Sequence, residues 1–103
     1  MIQLVKDKEQ ELKLICEHFL VAELYLFGSA LTESFNKNSD LDFAVLFKES
    51  LSPLEHGDAF FNLLDELEKL FERKIDLISY RVIKNPIFKE ELDKTKLSLY
   101  AAA

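Results

Sequence analysis

Leu26-Phe27-Gly28-Ser29 is followed, after ten residues, by Asp40-Leu41-Asp42-Phe43. On the amino-terminal side, Val21 to Phe27 is short, apolar and aromatic and stops at Gly28-Ser29, as a mostly buried strand does. Beyond the polar run from Thr32 to Ser39, the residues from Asp40 to Phe47 predict a second strand whose first residues are acidic. A turn from strand into a short helix, expected from about Ala30 to Ser34, leaves backbone N–H groups free to hold a phosphate. Gly28 permits close approach there, and Ser29 adds a hydroxyl donor. Residues two apart on a strand share a face, so Asp40 and Asp42 point together while Leu41 points away. Two carboxylates at that range resist joint ionisation unless a cation lies between them, and Mg2+ accepts both carboxylate and phosphate oxygens. Taken singly, the acidic pair also fits a solvated strand entrance and the Gly-Ser pair an ordinary turn. Their succession is what points to a phosphate held through metal.

Working outward, apolar residues recur at Val5, Leu12, Ile15, Cys16 and Phe19, which predicts one amphipathic helix from Ile2 to Leu20. Ser52-Pro53-Leu54-Glu55 joins a cap residue, a first-turn proline and the glutamate of a capping box, and Phe60, Leu63, Leu64, Leu67 and Phe71 continue that helix to about Arg73. Ile75-Asp76-Leu77-Ile78 predicts a third strand interrupted by a third carboxylate. If buried, Asp76 calls for a metal or a charged partner; on a half-exposed strand it simply faces solvent. Asn85-Pro86 predicts a last helix to about Lys94, Leu97 to Tyr100 a final strand or a packed tail, and Ala101-Ala102-Ala103 a frayed end. This alternation indicates an α/β domain of two or three layers, with residues 1–103 forming one domain.

Composition narrows the chemistry. The 103 residues carry 13 Lys and Arg against 19 Asp and Glu, a formal charge of −6, which argues against a broad nucleic-acid surface and leaves phosphate to be bound locally. The single cysteine, Cys16, has no partner for a disulfide or a zinc site and is expected in the core. No apolar run approaches membrane-spanning length and no signal segment opens the chain, so a cytoplasmic protein with no membrane partner is expected. His18 and His56 lack acidic or cysteine neighbours at ligand spacing and are expected at the surface. Tyr25 and Tyr100 are expected in the core, with Tyr80, just past the Asp76 strand, the best placed of the tyrosines to stack a base.

In these motifs the chain resembles the DNA polymerase beta-like nucleotidyltransferase superfamily, in which a Gly-Ser turn precedes a DxD strand and a third Asp follows. Its short length and its late Asn85-Pro86 helix are similar to the minimal nucleotidyltransferase (MNT) group. The resemblance implies an α/β (α+β) nucleotidyltransferase fold, a small mixed sheet of three to four strands flanked by about four helices. It implies that Gly28 and Ser29 hold the triphosphate, that Asp40 and Asp42 bind two Mg2+ ions, and that Asp76 completes the catalytic metal site and helps deprotonate the acceptor. The implied reaction moves AMP from ATP to a hydroxyl acceptor. The implied partner is a small helical HEPN-type protein in a toxin–antitoxin pair, adenylylated on tyrosine, or a second copy of the chain. One departure stands out: many minimal members place a basic residue shortly after the turn, where this chain has Ala30-Leu31-Thr32-Glu33. Lys37, Arg73 and Lys74 are the available substitutes. Glu33 also motivates an alternative, a catalytically weak binding module that neutralises its partner by contact.

Overall fold

The computed structural model of the chain describes residues 3–102. Four strands, β1 (Val21–Phe27), β2 (Leu41–Phe47), β3 (Ile75–Ser79) and β4 (Leu97–Ala101), form one sheet in the order β3-β2-β1-β4. β1 runs antiparallel to both β2 and β4, whereas β2 and β3 are parallel. A parallel pair needs a crossover, and α3 (Pro53–Phe71) supplies it. Its start follows the capping box: the Glu55 N–H donates to Ser52 Oγ at 3.3 Å and the Ser52 N–H to Glu55 Oε1 at 3.0 Å. The predicted cap at Asn85 is also present, its side chain accepting from Ile87 and Phe88 at the head of α4 (Pro86–Thr95).

The amino-terminal helix differs from expectation. It divides into α1 (Gln3–Lys6) and α2 (Glu9–His18), with a turn at Asp7 and Lys8 between them. Val5, Leu12 and Cys16 nevertheless face one core, so the apolar spacing runs on across a break that no glycine or proline marks. Ile2, the expected start, lies outside the described residues. At the other end Ala101 and Ala102 are not frayed: Ala101 pairs with Glu23, and the Ala102 N–H donates to Ala22 O at 2.8 Å.

The sheet has two unlike faces. Leu24 and Leu26 of β1, Leu41, Phe43, Val45 and Phe47 of β2 and Ile75 and Leu77 of β3 pack under α2 and α3, with Phe43 stacked on Phe71 at 5.8 Å. Alternation turns Tyr25, Asp42, Ala44 and Asp76 to the opposite face, where α4 buries Leu92 against Tyr25 and Ala44. Among the described residues no helix is long and apolar enough to cross a membrane.

Candidate functional site

Where β1 ends, Gly28 begins a single 3-10 turn, Gly28–Leu31, two residues earlier than the short helix expected from Ala30. Thr32 closes the turn, its N–H and its Oγ1 both donating to Ser29 O, at 3.0 and 2.9 Å. Gly28 takes φ +74, a left-handed conformation that suits glycine, and a Cβ there would meet the carboxyl of Asp42, with Oδ2 in collision and Cγ at 3.2 Å. The turn and the β2 carboxylate are therefore in direct contact. The backbone of Ser29 lies toward the Asp42 carboxyl and favours its ionised form.

Asp42 is flanked in register by Phe27 on β1 and by Asp76 on β3. Neighbouring strands lie about 4.8 Å apart, so two like charges meet on one face. Burial, then the charge of Asp76, then that of Asp40 hold the Asp42 carboxyl above the ordinary carboxylate value, against the opposing influence of the Ser29 backbone. Asp40 lies one residue before β2, with Lys74 Nζ 3.7 Å from its Oδ2, both side chains well exposed. Asp76 is exposed on β3, so the cost of a buried charge does not apply to it. Its link to the site is its position beside Asp42.

The donors, three carboxylates with a backbone amide beside them, are the hard oxygen chemistry that suits Mg2+. Among the described residues, however, no three His, Cys, Asp or Glu side chains are arranged to enclose a metal ion. Asp40 and Asp76 are open to solvent, so a cation held here would complete its coordination with substrate phosphates and water. Beside Gly28 the space between the turn and α4 forms a cleft of about 580 Å³, walled by Phe27, Leu31, Phe88 and Leu92. Phe27 and Phe88 meet edge to face at 6.1 Å. Neither cleft nor aromatic pair was visible in the motif spacing, because Phe88 belongs to a helix far along the chain.

Other expectations resolve as follows. The Tyr80 ring packs on Tyr25 at 5.7 Å, its hydroxyl donates to Asp93 Oδ1 at 2.7 Å, and Lys89 and Lys96 lie 5.3 and 5.7 Å from the ring. Tyr80 therefore pins α4 to the sheet and offers no open stacking face. His18 is exposed, whereas His56 is half-buried against Phe47 at 4.8 Å. Lys37 is exposed on the loop, and Arg73 is occupied by loop carbonyls.

Comparison with known proteins agrees with this geometry. The family model described as polymerase beta, nucleotidyltransferase matches residues 10–102. The chain belongs to that nucleotidyltransferase family. A family relative from Methanocaldococcus jannaschii, named as a protein adenylyltransferase, is 33% identical over 82 residues, 80% of this chain and 80% of the relative. Among solved structures, a toxin–antitoxin with AMP-PNP superposes with a TM-score of 0.70 at 22% identity, covering 91% of this chain and 73% of that chain. A tri-AMPylated Shewanella oneidensis HEPN toxin in complex with an MNT antitoxin gives a TM-score of 0.65 at 19% identity over 94% of this chain and 72% of that chain. The chain has the nucleotidyltransferase fold, with the mixed sheet and the four helices that the resemblance implied.

Proposed function

We propose that this nucleotidyltransferase moves AMP from ATP to a hydroxyl group of a small helical HEPN-type partner protein. Gly28 and Ser29 hold the triphosphate, and Asp40, Asp42 and Asp76 hold two Mg2+ ions. The observation that carries the reading is the crowding at Asp42, whose carboxyl meets Gly28, pairs in register with Asp76 and is repelled by Asp40. Such a carboxyl is relieved by a cation, and the turn beside it can take the anion that accompanies one. The protein acceptor and ATP are supported by the M. jannaschii relative's name and by the AMP-PNP and AMPylated complexes that share the fold. A cytoplasmic setting follows from ATP as the donor.

Bound Mg2+ would neutralise charge on the triphosphate and on the attacking oxygen. The chain's own residues hold and aim. The turn fixes the phosphates, Asp40 at the end of the loop and Asp42 in β2 set the ligand directions, and exposed Asp76 takes the proton of the acceptor hydroxyl. That oxygen then bonds to the α-phosphorus as the bond to pyrophosphate breaks, with no covalent enzyme intermediate. The test is to incubate the chain with a HEPN-type protein, Mg2+ and ATP labelled at the α-phosphate. Label on the partner with matching pyrophosphate, both lost in Asp42→Asn, is expected. A tight complex without pyrophosphate would favour neutralisation by contact, the reading that Glu33 motivates.

A further inference from the structure

Beyond Leu31 the loop leading to Asp40 contains no regular element, yet its last residue supplies the first carboxylate of the site. The loop's own bonds are short-range and exposed, such as the Asn36 N–H to Ser39 Oγ at 3.1 Å and the Asn38 N–H to Asn36 Oδ1 at 2.8 Å. Phe35 packs against the core, and Arg73, just past the end of α3, ties the loop's backbone to the body of the protein. Arg73 Nη1 donates to Ser39 O at 2.9 Å and to Asn36 O at 3.4 Å, and its guanidinium carbon lies 4.9 Å from the centroid of the Phe35 ring. On the other side of Asp40, the Leu41 N–H donates to Lys74 O at 3.2 Å. Both neighbours of Asp40 in the chain are therefore bonded to Arg73 and Lys74 in the three-residue corner between α3 and β3. That corner is formed as Glu72 takes φ 51 and ψ 43 and turns the chain out of the helix.

We propose that Arg73 is a positioning residue for Asp40. One terminal nitrogen of its guanidinium holds both loop carbonyls while the group lies over Phe35, so the Asp40 carboxylate is presented beside Asp42 and Asp76 at a fixed angle. Lysine does this less well, because an ammonium lacks the flat face that stacks on Phe35. The proposal rests on Asp40 being a metal ligand. It also gives Arg73 a different role from replacing the missing basic residue after the turn, since the guanidinium is turned to carbonyl groups and an aromatic ring.

The experiment titrates the metal-free protein with Mn2+ alone, following free Mn2+ by electron paramagnetic resonance, and records hydrogen exchange of the amides at residues 36–40 in the same samples. Arg73→Met keeps the apolar stem and removes the donors. It is expected to speed exchange across 36–40 and to weaken Mn2+ about 10- to 100-fold, the range found when the supports of ligating groups are removed. Arg73→Lys should fall between the two, and it decides the question on the same readouts if Arg73→Met does not fold. Asp42→Asn separates the causes. Unchanged Mn2+ affinity in the Arg73 variants, with binding lost in Asp42→Asn, overturns the positioning role and leaves the metal site standing. Unchanged affinity in all of them overturns the metal site and the positioning role together. A drop in melting temperature without a change in Mn2+ affinity makes Arg73 a purely structural clamp and also contradicts the proposal.

Discussion

Gly28 and Asp42 are bound by one constraint, since the space that a side chain would need at position 28 is filled by the carboxyl at position 42. Gly28→Ala meets two costs: about 1–2 kcal/mol for a left-handed L-residue, and displacement of the carboxylate. It should lose nucleotidyl transfer far more completely than it loses stability, as parallel activity and denaturation measurements would show. Asp42→Asn should have a different profile. A carboxyl raised in the folded chain holds its proton more tightly there than when unfolded, so its contribution to stability falls as pH rises from the unfolded value, about 3.9, through the raised folded one. Removing the charge removes that penalty. Without metal, Asp42→Asn should melt above the wild type at pH 7, lose the advantage below about pH 4, and bind no metal. A variant that melts lower at pH 7 would give Asp42 a structural role.

At the scale of elements, α3 depends on a reciprocal cap that is exposed and local, which makes it a clean test of helix energetics. Ser52→Ala should cost about 1 kcal/mol in urea denaturation, with transfer activity retained, because the cap lies away from the carboxylates. That cap was legible in the sequence because every residue that makes it lies within four positions. The two carboxylate-bearing strands and the Gly28 turn were legible for a similar reason, since period-two alternation and a strand-ending glycine are local signals. What could not be read depended on contacts distant in sequence. The turn at Asp7 and Lys8 carries no breaker residue, and Ala101 is ordered only because Glu23 of β1 pairs with it. The Arg73 clamp spans 34 residues to Ser39. Spacing likewise placed Asp76 within an apolar strand without disclosing that its face lies open to solvent.

Across the whole molecule, the sheet divides a thick apolar layer under α2 and α3 from a thin one under α4, and the carboxylates occupy an end of the thin side. The thick layer carries the stability. Leu63, fully buried there, should cost about 2–5 kcal/mol on truncation to Ala, a large part of the 5–15 kcal/mol typical of a folded domain, and urea denaturation would register it. The thin side leaves a cleft beside Gly28 and an open row of carboxylates, the arrangement that the proposed transfer to a separate acceptor protein needs. A crystal structure with Mg2+ and a non-hydrolysable ATP analogue tests the central claim most directly. The account predicts Mg2+ bridging Asp40, Asp42 and Asp76 to the triphosphate, with phosphate oxygens on the turn at Gly28 and Ser29. Nucleotide bound elsewhere, or Mg2+ at working concentration that leaves those three carboxylates unbridged, would contradict it.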